Sequence, residues 1–302
     1  MRLVPERPTQ RALAVGLALA GLGAIAFSGK AIIVKLAYRH GVDAVTLIML
    51  RMLLALPLFV ALAWWAGRGK PALTGRDRLA VLGLGFSGYY LASFLDFAGL
   101  QYITASLERL ILYLNPTLVL LIGVFAFGHR VRARQWLALA VSYAGVLLVF
   151  GHEVRLEGSA TALGSALVLA SAVSYAVYLA ASGQVVQRLG SLRLTGLATS
   201  VACVLCIVQY LVLRPVGLAF EQPAEVWWLS LLNATLCTFV PVLAVMMAIE
   251  RIGATLAAQM GMIGPLATLA MGVVVLGEPM NAWIAAGTAL VLVGIWLLAR
   301  AR

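Results

Sequence analysis

Charge is what this chain has least of. Only 11% of its 302 residues are Asp, Glu, Lys or Arg, where a soluble domain carries roughly a quarter. That is too little polar surface to clothe a water-soluble fold of this length. Histidine is scarcer still. His40, His129 and His152 all fall in predicted loops, so no predicted span offers an imidazole for a metal set or a histidine proton relay. The three cysteines (Cys203, Cys206, Cys237) sit within apolar stretches, where thiols behave as small hydrophobes and suggest no disulfide framework. Low-complexity segments are missing too, and no polar insertion is long enough for a soluble domain. An intramembrane enzyme would need a nucleophile, base or metal set, and none is visible. No catalytic residue, metal or cofactor is expected.

What the chain does have is apolar length. Hydrophobic residues make up 63% of it, with a mean hydropathy of +1.01. Its apolar stretches run to about 20 residues, enough to cross a hydrocarbon core of ~30 Å at 1.5 Å per residue. A backbone without water must close its own hydrogen bonds, so each stretch is predicted as a helix. The predicted spans are 12–37, 44–66, 78–100, 103–127 and 135–151, then 162–186, 193–214, 226–248, 254–276 and 283–300. Short breaks separate them, as at Gly67-Arg68-Gly69-Lys70-Pro71 and Gly277-Glu278-Pro279. The first stretch, behind basic residues, resembles a signal peptide, but it exceeds an h-region of 7–15 residues. It also has a counterpart, Gly16 matching Gly164 and Gly41 matching Gly190. It is expected to be a mature helix.

Spans six to ten repeat spans one to five. A shift of 149 positions lays Ile103 on Ile252, Ala105 on Ala254, Leu107 on Leu256 and Pro116 on Pro265; it also pairs Gly123 with Gly272, Gly128 with Gly277 and Gly145 with Gly294. A unit with an odd number of spans must have a copy that threads the membrane upside down. The expected fold is therefore all-α and integral to the membrane: ten transmembrane helices as two inverted five-helix halves, 1–151 and 152–302, in one membrane domain. Inverted halves meeting at the midplane are the architecture of alternating-access carriers.

The net charge of +11 is explained by topology. Of 22 Lys and Arg, four (Lys30, Lys35, Arg51, Arg109) lie within spans and three (Arg39, Arg155, Arg214) fall on one side. The remaining fifteen fall on the other, with the N-terminus. That bias places both termini in the cytoplasm and calls for no nucleic-acid partner, since the cations are dispersed among loops rather than gathered on one face.

Some patterns imitate sites. Gly83-Leu84-Gly85-Phe86-Ser87-Gly88 spells the dinucleotide fingerprint, but it lies inside an apolar span, where small residues let helices approach. The row Ala162, Ala166, Ala170, Ser174 reads as a ridge of the same kind. Six intramembrane ionisable residues are candidates by cost alone: Lys30, Lys35, Arg51, Asp96, Glu108 and Arg109. They form one charge network in the first half, with two cations in surplus. Either they pair among themselves, or the surplus faces a wet cavity and attracts an anionic group such as a substrate carboxylate, with Lys30 the deepest. Only two acids stand in spans, both among cations, which favours facilitated diffusion or exchange over proton antiport. Near span centres lie Phe27, Ser28, Tyr89, Tyr90, Tyr113, Asn115, Tyr175, Tyr178, Asn233 and Thr238. Their hydroxyls and amides serve helix contacts or, together, a cavity suited to an amphipathic solute. Pro116 and Pro265 interrupt spans four and nine and are expected hinges.

These residues resemble the drug/metabolite transporter superfamily in its ten-helix EamA-type branch, over essentially the whole chain. The likeness rests on the small-residue stretch leading to Lys35, on Arg51, and on Pro116 and Pro265, each followed by a Gly-centred turn and a Gly-rich last helix. The family turn reads Gly-Glu. The second half keeps it as Gly277-Glu278, whereas the first half has Gly128-His129; Glu108-Arg109 also departs from the pattern. Within the branch the chain is similar to bacterial YddG-type exporters. That implies alternating-access export of aromatic and neutral amino acids across a bacterial inner membrane, by a multi-pass protein embedded in lipid and working as a monomer. A multidrug or toxic-cation efflux carrier of the same fold, with or without proton coupling, is the alternative.

Overall fold

The computed structural model describes residues 10–127, 133–261 and 263–300, and among these all regular structure is helical. Helix α1 (Gln10–Tyr38) is followed by α2 (Ala44–Gly67). The third predicted span is α3 (Gly75–Leu84), a wider π-helical stretch (Gly85–Leu91) and α4 (Ala92–Leu100). Then come α5 (Ala105–Leu112), α6 (Asn115–Phe127), α7 (Ala133–Glu157), α8 (Ser159–Leu189) and α9 (Ser191–Leu213). After the short α10 (Gly217–Phe220), α11 (Ala224–Ala234) passes through a second π-helical stretch (Thr235–Phe239) into α12 (Val240–Gly261). Helix α13 (Ile263–Met271), a third π-helical stretch (Gly272–Leu276) and α14 (Ala282–Arg300) complete the chain. Eight stretches, from Leu13–Tyr38 to Ala224–Val245, are long and apolar enough to cross a membrane; Leu266–Leu276 and Ala282–Leu297 are apolar but shorter.

Polar residues mark where helices start. Asp43 caps α2, accepting from the Val45 and Thr46 amides at 3.0 and 3.3 Å. Its burial raises the carboxyl's pKa, but bonds from Thr46 and Arg214 outweigh that and hold it below its ordinary value. Thr74 and Asp77 form a capping box at α3. Gly190 separates α8 from α9 with φ 85°, a left-handed turn that a side chain would strain. The seven tryptophans all stand within a turn or so of a helix end. Large apolar side chains such as Phe125 and Val212 point outward. That is the dress of a bundle that meets lipid along its flanks and headgroups at its rims.

Helix α1 lies against α11–α12, as α8 lies against α3–α4. Helix α1 also touches α13, as α8 touches α5–α6; α2 packs on α9, and α7 on α14. Exchanging the two halves in the 149-residue register leaves this set of pairs unchanged. Glycines make the approaches close. A Cβ on Gly145 of α7 would stand 2.6 Å from the Gly287 carbonyl of α14, and one on Gly196 of α9 would stand 2.7 Å from the Ala63 amide of α2. Two π-helical stretches also correspond, setting Tyr89 and Thr238 at equivalent positions.

Three sequence expectations need correction. A break at 249–253 is not found, because α12 runs from Val240 to Gly261. Its counterpart in the first half is opened by Thr104, which caps α5 through the Leu107 amide at 3.1 Å; Gly253 stands at that register position and has no hydroxyl to do so. His152 is not in a loop, since α7 continues to Glu157 and the imidazole stacks on Trp283 at 5.6 Å. The row Ala162, Ala166 and Ala170 is exposed; only Ser174 of that set is buried. The contact face of α8 runs instead through Gly164, Val168, Ser171 and Ala172, where a Cβ on Gly164 would stand 2.9 Å from the Gly99 carbonyl.

The fingerprint-like segment is a packing surface. A Cβ on Gly85 would stand 2.6 Å from the Ala198 carbonyl, and one on Gly88 would strike the Tyr178 ring, while Gly83 meets nothing within 4 Å. Gly85→Ala should therefore destabilise the detergent-solubilised protein by about 1–3 kcal/mol in a thermal melt. Gly83→Ala should leave it unchanged or slightly raise it. Equal effects at the two positions would remove the packing account.

Candidate functional site

The intramembrane charges meet where α1, α4, α5 and α13 come together. The Lys30 ammonium donates to Asp96 Oδ2 at 2.5 Å and lies 3.5 Å from Glu108 Oε1. Arg109, next along α5, points its Nε at the Thr268 hydroxyl (3.0 Å) on α13 and its Nη2 at the carbonyls of Ser28 (3.4 Å) and Phe27 (3.5 Å) on α1. Its distance to Glu108 Oε2 is longer, 3.9 Å. Lys30 and Arg109 also lie over the Phe27 ring, at 5.7 and 5.5 Å, a favourable placement for cations. Ser28 bonds the Gly264 carbonyl at 2.9 Å, and a Cβ on Gly264 would press on the Tyr113 hydroxyl. Glu108, between Lys30 and Arg109, is fully buried.

Arg51 extends this network through the core. Its Nε donates to Thr238 Oγ1 at 3.2 Å, and its guanidinium lies over Phe97 at 5.1 Å. Thr238 in turn donates to the Asn233 carbonyl at 2.8 Å, and Asn233 Nδ2 reaches the Lys30 carbonyl at 3.5 Å. Lys35 belongs to a different level. It donates to the carbonyls of Ile103 (2.9 Å) and Leu100 (3.3 Å), where α4 ends and its carbonyls lack partners.

The aromatic residues divide into groups. Tyr89 and Tyr178 share a hydroxyl contact at 3.2 Å with rings 5.1 Å apart, and Tyr175 stacks on Tyr178 at 5.5 Å. Tyr90 lies beside Phe86 at 5.5 Å, on the core side of α2. Tyr113 is on the charged side. Asn115 closes the break between α5 and α6, donating to the Leu112 carbonyl at 2.8 Å. Pro116 stands at the second position of α6, so the helix breaks ahead of it, as its missing amide and ring demand. Pro265 lies in α13, and its side chain is outside what is described; Gly128 and His129 are outside the described residues.

Sequence reasoning assigned no role to Glu278 or Thr268. The Glu278 carboxylate receives the Ala105 amide at 2.7 Å, the Ser106 amide at 3.3 Å and the Ser106 hydroxyl at 2.6 Å, capping α5 from the other half. The Gly-Glu turn was the visible signal. Thr268 has none, since the equivalent first-half position is Val119.

A bundle of apolar helices whose interior holds paired charges and hydroxyl-bearing rings is the build of a polytopic transport protein. The chain belongs to the EamA-like transporter family, which matches it twice, over residues 14–151 and 162–300. It is similar to the "Uncharacterized transporter YcbK" of Bacillus subtilis (strain 168), 28% identical over 286 residues, which cover 90% of this chain and 89% of that one. It also resembles the "Uncharacterized transporter YetK" of the same organism, 26% identical over 125 residues, 40% of this chain and 38% of the other. A solved crystal structure shares the fold, with a TM-score of 0.61 and 20% identity over 96% of this chain and 98% of that one.

Removing one partner of a buried ion pair strands the other. Asp96→Asn should destabilise the protein by about 3 kcal/mol, the low end of such losses because Glu108 still attracts Lys30. Adding Lys30→Met should recover most of it. A double variant no more stable than Asp96→Asn in thermal melts would break this account.

Proposed function

We propose that the protein exports aromatic and other neutral amino acids across a bacterial inner membrane, working as a monomer by alternating access. On this reading ten spans form two inverted halves, 1–151 and 152–302, that rock about the shared interior. The main helix pairs, α1 with α11–α12 as α8 with α3–α4, α2 with α9 and α7 with α14, correspond when the halves are exchanged, which supports such a pseudo-symmetric carrier.

The observation that carries the substrate reading is the pairing of chemistries on one span. Tyr89, edge-on to Tyr178, which itself stacks on Tyr175, and Asp96, bound to Lys30, stand seven residues apart in the third span. Rings suit an aromatic or apolar side chain, and a zwitterion needs both charge signs. Lys30 would exchange Asp96 for the substrate carboxylate, Asn233 and Asn115 would orient the polar end, and Tyr90, Tyr113, Phe27, Ser28 and Thr238 would line the path. Pro116 and Pro265 would let spans four and nine bend.

Counterflow of labelled phenylalanine and leucine into proteoliposomes tests this. Saturable counterflow is expected, with the apparent KM raised about tenfold in Lys30→Met, the loss of one interaction of roughly 1.4 kcal/mol. An unchanged KM would remove the carboxylate role. Competition by cationic drugs instead of amino acids would favour a multidrug carrier, and absence of saturation a channel.

A further inference from the structure

Glu108 is an ionisable group that its surroundings do not serve. Its side chain is completely buried, and neither carboxylate oxygen receives a hydrogen bond from any described residue. The two neighbouring cations make their short contacts elsewhere: Lys30 holds Asp96 at 2.5 Å, and Arg109 points its Nε at Thr268 and its Nη2 at backbone carbonyls, leaving Glu108 with ion contacts of 3.5 and 3.9 Å. A buried ionised carboxylate needs both pairing and hydrogen bonds to be tolerated, and this one has charges nearby but no hydrogen bond from a described residue. The second carboxylate, Asp96, meets it at the same ammonium, and Asp96 Oδ1 is likewise unbonded among the described residues. Like charges sharing one site cannot both stay ionised without cost.

We propose that Glu108 and Asp96 form an intramembrane proton-binding site, in which one proton is held by the carboxyl pair and its arrival loosens the hold on Lys30. The proton comes from water on the side to which the interior opens and forms an O–H bond on a Glu108 oxygen. That hydroxyl becomes the missing donor, directed at the free oxygen of Asp96. The charged groups facing the site are Lys30 from α1, Asp96 from α4 and Arg109 from α5 itself, with Arg51 of α2 beyond Asp96 and the neutral Tyr113 at the end of α5; α13 contributes only the hydroxyl of Thr268. The inner four groups, Glu108 and Asp96 with Lys30 and Arg109, balance when all are ionised, with Arg51 beyond them already in surplus, so the added proton leaves one more positive charge without a counter-charge. Lys30 is then the cation released, available to a substrate carboxylate. The proton site stands on geometry alone, and only this last consequence rests on the carrier reading.

The test is an infrared titration of the full chain in lipid nanodiscs, following the carboxylic C=O stretch as pH rises through the physiological range. Wild type should lose one carboxylic band that Glu108→Gln lacks at every pH and that Asp96→Asn shifts. A wild-type spectrum with no such titrating band overturns the proposal, and does so even if Glu108→Gln fails to fold. A titrating band that persists in a folded Glu108→Gln overturns it too. Counterflow provides the second reading: apparent affinity for phenylalanine should rise as pH falls, by at most about tenfold per pH unit for one linked proton, and should lose that dependence in Glu108→Gln. A titrating band in a protein that shows no counterflow would sink the carrier reading and leave the proton site standing.

Discussion

A cation in an apolar interior has no water to solvate it, so each must find an anion, a dipole or a ring within the chain. Lys30 takes a carboxylate, Lys35 the carbonyls at the end of α4, Arg51 a threonine hydroxyl and the Phe97 face, and Arg109 a hydroxyl, two carbonyls and the Phe27 face. These needs fix how the helices sit. Arg109 reaches its acceptors only if α1 and α13 stand either side of α5, and Lys30 reaches Asp96 only if α4 faces α1. The surplus of positive charge is thus absorbed by neutral acceptors, which hydrogen-bond a guanidinium without cancelling its charge.

The main helix pairs correspond between the halves, but the helix caps do not. Helix α5 begins with three separate devices: Thr104 on the Leu107 amide, Glu278 on the first two amides, and the Thr104 hydroxyl in turn donating to Glu153 at 2.9 Å. The equivalent positions in the other half carry Gly253 for Thr104 and His129 for Glu278. Neither can do the same work, and the chain there continues as one helix rather than starting another.

Composition and period carried most of the architecture, because burying apolar helices in lipid is a matter of length and hydropathy that single residues hardly alter. Charge within spans was equally visible, since each such residue is costly and rare. What could not be read was direction. Lys35 and Lys30 are five residues apart on one helix, yet one serves carbonyls and the other carboxylates. Charge counting took the six ionisable groups as one set; the structure gives Lys35 carbonyl acceptors and brings Thr268, Thr238 and Phe97, which carry no charge, against Arg109 and Arg51. The helix run through 249–253 was hidden for a related reason: loop and helix there differ by the absence of a capping hydroxyl, a signal carried by what Gly253 lacks.

Two levels of contact then differ in what it takes to part them. At the end where α1 finishes, Glu278 accepts three bonds from α5, Arg39 reaches the Leu276 carbonyl at 2.6 Å, and Tyr38 bonds the Phe97 carbonyl at 2.5 Å. The Glu278 and Arg39 bonds join the two halves there and must break together for them to part, while the Tyr38 bond ties α1 to α4 within the first half. One level deeper, Glu108 is held by two long ion contacts, and Lys30 by one short one. Coulomb energy falls only slowly with distance, so the two long contacts of Glu108 tolerate small shifts far better than hydrogen bonds such as Lys30–Asp96 do. The end level therefore resists parting through several directional bonds, and the deep level through charge.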